Sequence, residues 1–295
     1  MTDLVSIFCE IDDFCKDFEK QYEKRMLSSG SGKRKRELIM NMSEVMTISI
    51  WYHFSGYATF KDYYTKHVSV YMRSEFNVVS YTRFIELRKR VLMPLLVYLV
   101  TRKLNNCTGV SFIDSFRLEA CNIRRASSHK TLKLIAKKGK TGEGWFFGTK
   151  VHLIINPHGE IVSFYISSGN VADNNHDLIF TITKQIYGKL FGDRGYLLRP
   201  DIFEKLYQSG VHMITKIKSN MKNKLMHTTD KLMLKGRGII ESVGNILKNT
   251  LHLEHSRHRS ISGFLLHVIS SLTAYQIRDK KPSLSLNLPI NSISA

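Results

Sequence analysis

The sequence predicts a mixed α/β protein: a helical N-terminal region followed by a mixed sheet with helices on its faces. Two observations predict it. Up to about residue 107, apolar residues recur at helical spacing. From about residue 108 the pattern changes to short alternating runs separated by turn residues. A third observation bears on partners. The 295 residues hold 44 Lys and Arg against 25 Asp and Glu, a formal net charge of +19. That balance favours a polyanion, most often nucleic acid and less often an anionic membrane.

The charge is uneven. Residues 1–107 hold 17 Lys and Arg against 12 Asp and Glu (+5), and residues 108–295 hold 27 against 13 (+14). The few carboxylates of the second region therefore stand out.

In the first region, Phe8, Ile11, Cys15, Phe18 and Tyr22 recur at steps of three and four, one face of a helix. "LSSGSGKRKRE" then breaks the pattern and supplies four consecutive cations, Lys33 to Arg36, as expected of a flexible basic linker. "LIMNMSEVMTISIWYHF" resumes a helix and stops near Gly56. "SYTRFIELRKRVLMPLLVYLVTRKL" starts a long helix at a Ser80 cap, with Pro94 as a kink or break. This region can contain a helix-turn-helix, with Arg83, Arg88, Lys89 and Arg90 on phosphates; a solvated charged face explains the same residues.

The N-terminus "MTDLVSIFCEIDDF" has no basic segment before its apolar residues, so no signal peptide is expected. The longest apolar run, Val91 to Val100, is too short to span a bilayer and contains Pro94, which weakens the membrane explanation of the charge. Cys9, Cys15, Cys107 and Cys121 form no C-x-x-C pair and read as reduced thiols of a cytoplasmic protein.

In the second region, "GVSFIDSFRLE" reads as a strand ending near Asp114. "GWFFGTKVHLIIN" and "IVSFYISSG", joined by "PHGE", read as a hairpin. "ADNNHDLIFTITKQIYGKL" reads as a helix and "LFGDRGY" as a strand meeting a turn. "PDIFEKLYQSG" has Pro at a helix start and Gly at its end, and "VHMITKI" is one more strand. "KSNMKNKLMHTTDKLMLKGRG" reads as a basic loop. A helix over "GRGIIESVGNILKN" and a final amphipathic helix over "SISGFLLHVISSLTAYQIR" follow.

Asp114 on the first strand, Asp193 at the end of a later one and Glu241 on the helix after the last strand can converge. On that helix Arg237, Glu241 and Lys248 share a stripe at i, i+4 and i+11. Hard divalent cations take such oxygen ligands, and two of them can serve phosphodiester displacement. Each residue also has a plainer reading: Asp114 and Asp193 as turn or capping residues, and Arg237–Glu241 as an ordinary helical ion pair. Asp173, Asn175, His176 and Asp177 form either a metal cluster or a helix N-cap, and the N-cap is favoured. Lys150 and His152 either touch the DNA backbone or face solvent. The basic stretch Arg124 to Gly144 is read as a phosphate-binding arm or a solvated flexible loop, and Arg257 and Arg259 as phosphate contacts.

The strand–helix order and the set Asp114, Asp193 and Glu241 resemble the DDE transposases of bacterial insertion sequences. "SFIDSF" resembles their first motif and "LFGDRGY" their second. Arg237-x3-Glu241-x6-Lys248 resembles the third, with Leu234 where that motif has Tyr. "HSRHRS" before the last helix resembles their C-terminal end. The resemblance covers about residues 108–280. It implies an RNase H-like catalytic domain over 108–280, after a DNA-binding region over 1–107 and before a loose tail over 281–295. It further implies Asp114, Asp193 and Glu241 as catalytic ligands of Mg²⁺ or Mn²⁺, two ions in all. Lys248 would hold a phosphate, and Arg237 would orient Glu241 or a phosphate. The implied partners are double-stranded DNA, as element ends and as target, and further copies of the chain. A DNA-binding relic without chemistry and a structure-selective nuclease are the competing readings.

Overall fold

A computed structural model describes residues 3–28, 39–142, 144–216, 226–254 and 258–284. The expected basic linker and the end of the tail lie outside them. Helix α1 (Leu4–Ser28) buries Ile7, Ile11, Phe14 and Cys15, the spacing of one helix face, and packs on α2 (Met42–Trp51). Tyr22, expected on that face, stays exposed. A capping box starts α2, with the Asn41 amide donating to Glu44 Oε2 at 2.6 Å. Residues 43–50 of α2 are buried without interruption, so this helix is central rather than amphipathic. Two single-turn helices, α3 (Phe60–Tyr63) and α4 (Ser69–Tyr71), flank a π turn over Tyr64–Val68.

Ser80 caps α5 (Tyr81–Arg90) as expected, its hydroxyl accepting from the Arg83 amide at 3.4 Å. The break before α6 (Leu92–Tyr98) falls at Val91 and not at Pro94. Pro94 sits in the first turn of α6, where a missing N–H loses no helix bond.

The sheet follows from β1 (Val110–Cys121), β2 (Lys137–Thr141), β3 (Gly144–Ile155), β4 (Ile161–Ser168), β5 (Gly188–Gly192) and β6 (Val211–Thr215). The order is β2-β3-β1-β5-β6, with β4 also paired to β3. Strands β1, β2 and β4 run antiparallel to β3, whereas β5 is parallel to both β1 and β6. The mixed α/β architecture is consistent with the RNase H-like fold implied by the resemblance.

Side chains alternate across the sheet. Ile113 and Ile154 join one core with α7 (His176–Ile182) and α8 (Pro200–Gln208). Phe112 and Leu153 join the other, with α10 (Gly238–Asn245) and α11 (Ile261–Ile277). That second core runs without a gap into the N-terminal helices.

Four elements differ from expectation, each for a tertiary reason. Strand β1 runs on to Cys121 because β3 pairs with it that far. The basic stretch before Gly144 contains β2, whose bonds to β3 offset the weak strand tendency of "KKGKT". Helix α7 stops at Ile182, since the next apolar residues enter the sheet as β5. The end of the expected basic loop is helix α9 (Thr228–Gly236). The final helix, α11, is buried nearly all round, against α2, α5 and α6. Its Gln276 carboxamide bonds both the amide and the carbonyl of Ile161, at 3.0 Å each, tying the helix to β4.

A buried basic cluster joins the two regions. Arg88 lies 3.8 Å over the Phe60 ring, donates to Ser49 Oγ at 3.3 Å, and has no carboxylate partner among the described residues. Burial pushes its pKa down to about 10. This burial removes Arg88 from the expected phosphate contacts. Near it, His53 bonds the Leu251 carbonyl and Ser270 Oγ, and His267 bonds the His252 carbonyl. Burial, then charge repulsion, hold these imidazoles neutral: His53 well below its usual range, His267 near 4 and His258 near 2. The unfolded chain's imidazoles take protons near 6.5, so the unfolded state binds more protons below that pH. Thermal unfolding measured from pH 8 to pH 4 should show a flat melting temperature down to about 6.5 and a steep fall beneath it. Replacing His267 with Gln should flatten that fall.

No helix among the described residues is long and apolar enough to cross a membrane.

Candidate active site

Parallel pairing of β1 with β5 ends at Phe112 and Phe191. Two residues further along the chain come Asp114, still on β1, and Asp193, just past the end of β5, at the carboxyl end of the parallel pair, where open α/β sheets place their sites. The Asp193 carboxylate turns the chain by accepting the Gly195 amide at 2.8 Å. Asp114 Oδ1 accepts the Ser115 amide at 2.8 Å. Burial pushes the Asp114 pKa up to about 6. The Arg237 charge and the Ser115 amide oppose that rise, and the Asp193 charge adds to it. The two aspartates therefore share one electrostatic site, as expected of neighbours at the same strand ends.

Helices α9 and α10 meet at Arg237, whose guanidinium points back to the sheet. Its Nη1 donates to Asp114 Oδ2 at 2.9 Å and its Nη2 to Glu241 Oε1 at 2.6 Å. One guanidinium thus spans the first and third expected carboxylates, a fork suited to two acceptors. Arg237 is 15% exposed and Glu241 60%, so the fork rises from the core to the surface. The helical pair read from spacing exists, but half of the guanidinium is spent on a strand 123 residues away in sequence.

Beside the fork lies a cleft of about 300 Å³ lined by Asp114, Ser115, Phe116, Glu241, Gly244 and Lys248, among others. The Lys248 ammonium lies 5.7 Å from the Phe116 ring centre and pairs with Glu254 at 2.9 Å. A π turn over Ile246–Thr250 carries it, so the stripe is not one regular helix. Arg259 is exposed next to the Ser260 cap of α11, and Arg257 lies outside the described residues. Leu234, at the motif's Tyr position, is buried in α9. Lys150, expected at DNA or solvent, is buried, and its ammonium pairs with Asp173 at 3.0 Å.

Residues 104–261, more than half of the chain, match the family of transposase DDE domains. The chain belongs to the DDE transposases. No curated protein matches it.

The transposase family uses divalent metals, and the donors fit one by type: all are oxygens, and the Asp114 carboxylate is anionic at a site where burial penalises its charge. The set is not closed. Among the described residues, no three Asp, Glu, His or Cys side chains stand close enough to hold an ion. Arg237 instead occupies the space between Asp114 and Glu241, as a cation already in place. Sequence reading passed over Ser115 and Phe116, which line the cleft next to Asp114. It also grouped Asp173 with the helix cap. Asn175 is the cap, accepting the Leu178 amide at 3.1 Å, while Asp173 bonds Ser115 Oγ at 3.0 Å. The only sequence signal for this was a polar cluster just after a strand.

Because the folded pKa of Asp114 lies above its unfolded value, the folded state prefers the proton, and stability falls as pH rises from 3.8 through 6. The Asp114→Asn protein without metal should therefore be more stable than the native one at pH 8, by up to about 3 kcal/mol. That gain should close towards pH 4, as read from urea unfolding at both pH values.

Proposed function

We propose that this transposase cleaves DNA at the ends of an insertion sequence and joins the freed 3′-OH to target DNA, with Asp114, Asp193 and Glu241 as its catalytic carboxylates. The observation that supports it most is the Arg237 fork. It links Asp114, beside Asp193, to a Glu241 that the sequence places far away. Asp114, Asp193 and Glu241 would hold Mg²⁺ or Mn²⁺, two ions in this reading. Such ions lower the pKa of an attacking water and offset the charge of the departing oxygen.

The chain's own residues do the rest. Arg237 neutralises two carboxylates in the resting site, and a DNA phosphate offers its guanidinium an equivalent bidentate acceptor. Exchange of one for the other would free Asp114 and Glu241 as DNA arrives. Lys248, at the cleft wall with its ammonium over the Phe116 ring, would leave Glu254 to hold a phosphate. Arg259 and Arg257 would extend the phosphate track. A water and then the 3′-OH serve as nucleophiles, so no side chain has to form a covalent bond to DNA. Residues 1–107 would bind the element ends, residues 108–280 carry the chemistry, and two or more copies would bring two ends together in the cytoplasm. With +19 overall, binding should weaken steeply with salt.

The test uses supercoiled plasmid carrying the element's ends, Mg²⁺, and the native, Asp114→Asn and Glu241→Gln proteins. Both variants should bind the end DNA within about threefold of native by fluorescence anisotropy. Their cleavage should drop by at least about 100-fold. Cleavage that survives either change would refute the site. Ends that are cut but never joined would replace the transposition step with a nuclease.

A further inference from the structure

A second charge pair, a buried Lys150 with a half-buried Asp173, lies next to the proposed cation site and has no part in the scheme above. Lys150, in the middle of β3, donates to Asp173 Oδ1 and to the Val171 carbonyl, each at 3.0 Å. The same Asp173 oxygen accepts the hydroxyl of Ser115, the residue after Asp114. His152, two residues along the same strand face, stands 3.9 Å from Asp173 and 3.4 Å from the Tyr196 hydroxyl, with its other nitrogen 2.9 Å from Ser167 Oγ. Tyr196 is itself fully buried, and the charges of Asp173, Asp114 and Asp193 all act on its hydroxyl. Burial and these charges together push the phenol's pKa well above its usual range.

The second Asp173 oxygen faces Asp193. A Cβ placed on Gly195 would stand 3.3 Å from Asp173 Oδ2, and 3.0 and 3.7 Å from the two Asp193 oxygens. Both carboxylates thus lie close to Gly195, where a side chain would fit only if they gave way by a few tenths of an ångström. Among the described residues, nothing donates to Asp173 Oδ2, while three polar groups crowd around Oδ1.

A buried ion pair adds little stability over an apolar pair of the same size. Packing alone gives no reason to keep Lys150 and Asp173 here, beside two carboxylates that already repel each other. Their placement does have a consequence for a cation. Lys150 and Ser115 hold Asp173 in one position, Ser115 carries that restraint to Asp114, and the uncommitted oxygen adds negative charge next to Asp193. Resting on the reading of Asp114 and Asp193 as cation ligands, we propose that Asp173 is a positioning residue of that site. It fixes the two ligand-bearing segments relative to each other and strengthens their hold on a divalent cation without reaching DNA.

The test is Mn²⁺ binding to the full-length, DNA-free chain by titration calorimetry, beside circular dichroism and end-DNA anisotropy. Asp173→Asn keeps the shape and one acceptor but removes the charge. Because it leaves Lys150 buried without a counter-charge, the paired variant Asp173→Asn with Lys150→Met is measured as well. Whichever variant folds should bind Mn²⁺ about 10- to 100-fold more weakly than native, with DNA affinity within twofold. Mn²⁺ affinity within twofold of native in either folded variant would overturn the inference. The Asp114→Asn protein separates the two readings. If it too binds Mn²⁺ like native, the cation site itself is misassigned. If it binds weakly while the Asp173 variants do not, only the role of Asp173 falls.

Discussion

Arg237 holds the site in its present form. Its guanidinium hydrogen-bonds both Asp114 on β1 and Glu241 on α10, so it ties the helix to the strand end above the apolar packing of Ile240 and Val243. Two anionic side chains on facing elements would otherwise repel across a partly dry gap. The residue sits where α9 gives way to α10, and its side chain reaches from there to the sheet.

The same charge logic recurs on both sides of the sheet. Near the strand ends Asp173 is paired with Lys150, and Asp114 with Arg237. At the junction with the N-terminal helices the sign reverses: Arg88 has no carboxylate partner among the described residues, and the imidazoles packed near it stay neutral because burial makes protonation unfavourable. Tyr196 belongs to the core shared with α7 and α8, whereas the basic cluster lies against the core that joins the helical region to the sheet. That second core includes α11 and reaches the cleft, so cleft and N-terminal helices share packing as well as chain.

Much of this architecture was legible because it is local. The β3–β4 hairpin, the Ser80 cap, the proline-started α8 and the closing helix each announce themselves within a few residues. The strand β2 did not, since "KKGKT" is a strand only because β3 offers it bonds. Arg88 and Lys150 were misjudged as surface cations for a related reason. Charge predicts exposure unless a specific partner is waiting, and the Phe60 ring and Asp173 come from distant segments.

By itself, the sequence determined the fold class, the basic character that calls for a polyanion, and the three carboxylates with their motif spacing. Those properties are written in composition and in residues a few positions apart. Tertiary structure decided that Arg237 spans Asp114 and Glu241, that Lys150 is buried rather than offered to phosphate, and that Asp173 faces Asp193 across a bare glycine. The helical Arg237–Glu241 pair was written in the spacing, but the Arg237–Asp114, Lys150–Asp173 and Asp173–Ser115 contacts join segments with no shared periodicity, and only the closing of the sheet brings them within hydrogen-bonding distance.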